Sequence, residues 1–200
     1  DKTKQELLQR SNLEIIKAKE KVKEWLEKIK QEQDKAVLYY IRQFDQPKFL
    51  LQNLKVAKKE IKTAYQKTGV KTVRIIKEQI RLAQKFHQAQ IKQEDYIMEK
   101  IAGVLVGRKS IPIESVGLYV PAGSAPLPTV MQILTVAAKT AGVPRIIACF
   151  SPKLPNYEML VAADLAGVDE IYRVGGVAAI AALAYGTQTI KPVLKIVGPG

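Results

Sequence analysis

The rhythm of apolar and polar positions changes near the middle of the chain. Up to about residue 93, apolar residues recur every three or four positions, the spacing of one helix face. A first stripe runs Ile15, Ala18, Val22, Trp25, Leu26 and Ile29, behind a Ser11–Glu14 capping-box pattern. Val37, Tyr40, Ile41 and Phe44 predict a second helix over 35–44, stopped by Asp45-Gln46-Pro47. Leu54-Lys55-Val56 reads as a short extended piece. Ile61, Ala64 and Tyr65 predict a helix over 58–67, Gly69 interrupts, and Val73, Ile76, Ile80, Ala83 and His87 predict a long helix over 71–93. Residues 101–106 have strand character, broken by Gly103 and closed by Gly107. From Ile113 onward short apolar runs alternate with helical stretches. Strands are predicted at 116–120, 145–150, 170–174 and 193–197, with helices at 129–140, 156–166 and 177–185 between them. Strand–helix alternation of this kind specifies a parallel sheet with right-handed crossovers, an α/β fold preceded by a helical region.

In a parallel sheet the carboxyl ends of the strands lie together, and ligands bind in the crevice beyond them. Three predicted strand ends carry loop punctuation there: Pro121–Pro128, Gly175-Gly176 and Gly198-Pro199-Gly200. Glycines let backbone N–H groups approach a ligand, and a following helix N-terminus favours phosphate. The same residues also serve simply to shape turns. No Gly-x-Gly-x-x-Gly, Walker-type Gly-Lys-Ser/Thr, His-Glu-x-x-His or Cys-x-x-Cys pattern is present. The residues by themselves therefore indicate a nucleotide-binding-like α/β module behind a helical region.

Charge adds an asymmetry. Up to residue 109 there are 26 Lys and Arg against 14 Asp and Glu, and beyond it 6 against 5, within a net charge of +13. The lysines are scattered around helices among Glu and Gln with few aromatics between them, which reads as a solvated surface rather than a nucleic-acid footprint. Polyanion binding through this half is kept as an alternative. The composition changes at 108–112, which divides the chain into a basic helical region, 1–110, and an α/β region, 111–200. Cys149, the sole cysteine, lies in an apolar run and is expected as a buried free thiol. His87, the sole histidine, is expected to be packed or hydrogen-bonded on its helix rather than to ligate metal. No apolar stretch is long enough to span a bilayer and no signal-peptide pattern opens the chain, so a cytoplasmic location is expected.

Several stretches carry a closer resemblance. Val116-Gly117-Leu118-Tyr119-Val120-Pro121, the 124–128 turn, Ala138-Lys139-Thr140-Ala141-Gly142, Ile171-Tyr172-Arg173-Val174-Gly175-Gly176, residues 179–187 and the final Gly198-Pro199-Gly200 resemble histidinol dehydrogenases. Looser similarity extends back to about residue 15. The resemblance implies a Rossmann-like domain without the standard glycine fingerprint, cut short at its C-terminal end. It implies a homodimeric, zinc-dependent oxidoreductase of histidine biosynthesis that converts L-histidinol to L-histidine with NAD. It places cofactor contacts at Tyr119 and, around it, Pro121, Gly123, Gly175, Gly176, Gly198 and Gly200. Two family positions differ: a glutamine that contacts NAD is Ala178 here, and the second residue of Pro-Gly-Gly is Ala122. The family's zinc ligands, bases and substrate contacts lie beyond Gly200, so no catalytic or metal residue is assigned, and the 200-residue chain alone is expected to be inactive. The differences at Ala122 and Ala178 keep open a non-catalytic homologue that serves as a binding or assembly module.

Overall fold

The computed structural model describes residues 19–91, 96–122, 125–153 and 155–199. Helix α1 covers 19–32 and is followed by α2 (Asp34–Phe44), a short 3-10 turn (Leu51–Asn53), α3 (Lys58–Thr68) and α4 (Val70–Gln90). The strands β1 (Tyr96–Ile101) and β2 (Val104–Arg108) come next. Then β3 (Ser115–Tyr119), α5 (Pro128–Thr140), β4 (Arg145–Cys149), α6 (Tyr157–Ala166), β5 (Glu170–Tyr172), α7 (Gly176–Tyr185) and β6 (Lys195–Val197) alternate as expected. The Ser11–Glu14 box, Ile15 and Ala18 lie outside the described residues.

Strands β3 to β6 form a wholly parallel sheet in the order β5-β4-β3-β6. Alternate side chains point to opposite faces, and here both faces are covered. Val116, Leu118, Ile146, Ala148 and Phe150 are buried in one core with residues of α3, α4, α5 and α6. Ile147, Cys149, Tyr172 and Val174 are buried in the other with residues of α1, α2 and α7. The basic helical half therefore supplies layers of the same domain, and its packing crosses the composition change at 108–112. Gly167, left-handed at φ 92°, ends α6 where a Cβ would be unfavourable. Gly69, at φ 77°, makes the corner between α3 and α4.

The stretch read as one interrupted strand is instead an antiparallel hairpin, β1 paired with β2. Gly103, at φ 79°, supplies the left-handed turn residue, so the glycine that breaks the pattern reverses the chain. Among the described residues no third strand joins this pair, and both strands are exposed throughout.

Polar links tie the helical half to the sheet at the end opposite the strand-end loops. Glu170, at the start of β5, accepts hydrogen bonds from Lys55 Nζ (2.8 Å), Arg145 Nε (3.0 Å) and Tyr172 Oη (2.7 Å). Burial by itself would raise the Glu170 carboxyl, but these donors and the Lys55 charge outweigh it and hold the group at about 2. A carboxylate depressed by folding stabilises the native state above its unfolded value, and that contribution is lost as pH falls toward the folded value. Wild type should therefore exceed Glu170→Gln in urea midpoint at pH 7, with the gap narrowing between about pH 4.5 and pH 2. Parallel urea titrations at pH 7, 4.5 and 2.5 check this, and a gap constant with pH would contradict it. Similarly, Glu60 is held below its usual range: burial pushes it up, but the Ala57 N–H and Arg173 outweigh that.

Candidate functional site

The strand order decides where the site lies. From β3 the chain crosses by α5 to β4 on one side, whereas α7 delivers β6 to the other side of β3. The strand order therefore reverses between β3 and β6, and the carboxyl ends of these two strands form the crevice typical of a topological switch point. The carboxyl end of β3 is Tyr119, and β6 is followed by Gly198-Pro199. A Cβ on Gly198 would strike the Tyr119 carbonyl oxygen, so the close approach of these two strand ends requires a glycine.

A cavity of about 370 Å³ opens at this crevice. Tyr119 forms one wall, and Ile196, Gly198 and Pro199 form the β6 side. The start of α7 contributes Gly176, Val177 and Ile180, while Val22 and Leu26 of α1 close the remaining side. The lining is largely apolar, suited to a flat ring. Tyr40 stands next to the same turn. Burial pushes its phenol up, the Val177 N–H pulls it down, and Asp45 and Tyr119 add to the rise.

Of the residues expected here, Tyr119, Gly176 and Gly198 line the cavity together. Gly175 does not: it is buried against Ser151, where a Cβ would lie 2.9 Å from the serine Cβ. Pro121 is half-buried just beyond Tyr119 and is not part of the lining. Gly123 and Gly200 lie outside the described residues. Ala178 is fully buried with Ala181 and Ala182 in the core, and Ala122 is buried in the other core. The contribution of Val22 and Leu26 was not legible locally, because a helical stripe shows that a face is covered but not by what. In the sequence Tyr40 counts only as an apolar position of a helical stripe.

His87 is half-buried and pairs with Gln90 Oε1 at 3.0 Å, the structural role expected of it. Cys149 is fully buried, and burial pushes its thiol up, which makes it an inert packing group. Among the described residues no three His, Cys, Asp or Glu side chains converge to hold a metal ion. No described helix is long and apolar enough to cross a membrane. A second cavity, about 400 Å³, lies beyond β4 and β5 between Phe49, Phe150, Asn156 and Arg173. Its guanidinium is already engaged by Glu60 Oε1 at 2.7 Å and the Asn53 carbonyl at 3.1 Å.

The family model for histidinol dehydrogenase matches residues 8–200. The chain belongs to the histidinol dehydrogenase family. It is 43% identical over 194 residues to histidinol dehydrogenase of Clostridium acetobutylicum, covering 96% of this chain and 44% of that protein. It is 40% identical over 197 residues to histidinol dehydrogenase of Synechocystis sp., covering 97% of this chain and 45% of that protein. The crystal structure of histidinol dehydrogenase from Elizabethkingia anophelis superposes with a TM-score of 0.83 at 36% identity, over 91% of this chain and 42% of that one. The chain thus spans less than half the length of these histidinol dehydrogenases, and matches their N-terminal part.

Proposed function

We propose that this chain is the dinucleotide-holding part of a protein that oxidises L-histidinol to L-histidine with NAD. The observation that carries the reading is the switch-point crevice between β3 and β6, with Tyr119 at its wall, in a chain of this family. When bound, NAD supplies the hydride acceptor. The chain's own residues offer a ring-sized apolar wall from Tyr119, Ile180 and Ile196 and a strand-end contact tight enough to keep that wall in place. The described residues do not fit the family's zinc, since none of their acidic, His or Cys side chains cluster as ligands, so no step is assigned to a metal.

Calorimetric titration of NAD into the 200-residue chain tests the reading. Saturable binding is expected, weakened about tenfold by Tyr119→Ala because stacking on an aromatic ring is lost. Tyr185→Ala, at the far end of α7, should leave the affinity unchanged. Absence of any saturable NAD binding would refute the proposal. A second reading, a non-catalytic binding module, is favoured by the buried methyl of Ala178 at a position where the family has glutamine. It predicts NAD binding without histidinol-dependent NADH formation by the full-length protein, whereas the first reading predicts both.

A further inference from the structure

Neither core includes a described residue of the β1–β2 hairpin. A two-stranded hairpin by itself in water is marginally stable at best, and further strands or a covering helix are needed to hold it. Ile97, Ile101 and Leu105 are 76%, 70% and 71% exposed, and Tyr96, Met98, Val104 and Val106 are each roughly half-exposed. These side chains offer on the order of 700 Å² of surface, against the roughly 800 Å² that each partner gives to a stable interface. Among the described residues no strand joins the outer edge of β2, so its backbone groups can template another strand.

The pattern along that edge complements itself. Ile97 pairs with Gly107 and Glu99 with Leu105, so these four positions share one face of the hairpin. Leu105 stands out from the face, whereas Gly107 has no side chain and leaves it low. A groove of about 710 Å³ runs there, lined by Ile97, Leu105 and Gly107 with Arg108 and Lys109 at one end. Setting a second β2 antiparallel to the first, about a two-fold axis at Val106, puts Leu105 opposite Gly107 of the second copy. Val106 then meets its own counterpart. Lys109 falls opposite Gly103 of the second copy, whose N–H donates to Glu99 Oε1 at 2.6 Å, so a cation lies beside a carboxylate. A raised side chain meets a gap at both ends of the contact.

Charge narrows the choice of partner. Two copies meeting through the lysine-rich helices would set like charges together, which disfavours association. Residues 101–107 carry no charged side chain, so the hairpin is where a protein of net charge +13 can approach its own kind. The same neutrality gives an acidic partner nothing to grip. We propose that the outer edge of β2 docks a second copy of this chain, joining two hairpins into a four-stranded antiparallel sheet across a two-fold axis at Val106. The proposal is independent of what the crevice binds.

Sedimentation of the 200-residue chain and two kinds of variant test it. Wild type should form dimers, and Leu105→Lys should raise the dissociation constant at least about tenfold by placing two cations at the centre of the contact. Because Leu105 lies outside both cores, the urea midpoint of this variant, measured on monomer, should stay that of wild-type monomer. Val106→Cys should give a disulfide-linked dimer on mild oxidation, since facing residues of antiparallel strands lie about 4.5–5.5 Å apart at Cα, within disulfide reach. Cys149 is fully buried and does not compete. Ile75→Cys, at a comparably exposed position on α4, should not link. A chain that stays monomeric at about 100 μM would overturn the proposal and leave the hairpin to a different partner. So would a dimer that Leu105→Lys leaves intact, or equal linking by Ile75→Cys and Val106→Cys.

Discussion

Leu183→Ala should lower folding stability by about 3 kcal/mol, read as a drop in the urea midpoint with little change in slope. Leu183 is fully buried on α7, under the middle of β3. The methyl groups of Leu183 occupy the space that a side chain at Gly117 would need, lying 2.8 and 2.9 Å from an added Cβ. Truncation therefore opens a void between α7 and the sheet, and the rigid strand cannot collapse into it fully. Gly117→Ala alone should also destabilise, by roughly 1–3 kcal/mol, because it overpacks the same contact. The two changes share one space, so the double variant should be more stable than the sum of the single effects predicts. Strict additivity would mean that Gly117 and Leu183 do not meet.

The second large effect is expected at Gly198. Gly198→Ala places a methyl group against the Tyr119 carbonyl, which is backbone and cannot swing aside. The end of β6 must move away from β3, and the wall formed by Ile196, Gly198 and Pro199 moves with it. NAD affinity should fall more than tenfold, a larger loss than that for Tyr119→Ala, since the whole wall is displaced rather than one ring removed. Stability should change less, because Gly198 is exposed and lies at the end of a three-residue edge strand. Calorimetry for NAD and urea denaturation on the same sample separate the two. An unaltered NAD affinity would show that the β3–β6 contact does not shape the site.

The two effects differ because the contacts differ. Leu183 is part of the core that sheet and helices share, so its loss is felt by the whole domain. Gly198 holds two strand ends together at the surface, so its loss is felt by the ligand. Glu170 belongs to neither group. Its three hydrogen-bond donors lie at the opposite edge of the sheet and join the helical half to β4 and β5. Acid should loosen that link without touching the crevice.

The sequence by itself determined the order of elements apart from the β1–β2 hairpin, and much of the family signature. Helical spacing marks α2, α3 and α4, apolar runs mark β3 to β6, and Gly167 and Gly69 mark ends, because these signals are local in the chain. Tyr119 and the Gly-Gly and Gly-Pro-Gly turns were legible for the same reason. Only the tertiary structure decided which of them meet. The order β5-β4-β3-β6 put Tyr119 beside Gly198, left Gly175 under Ser151, brought Val22 and Leu26 from the basic helical half to the crevice, and set the Tyr40 hydroxyl against Gly176. Periodicity states that a helix face is covered. What covers it depends on long-range packing, which here sets a tyrosine of the helical half against the glycine turn that opens α7.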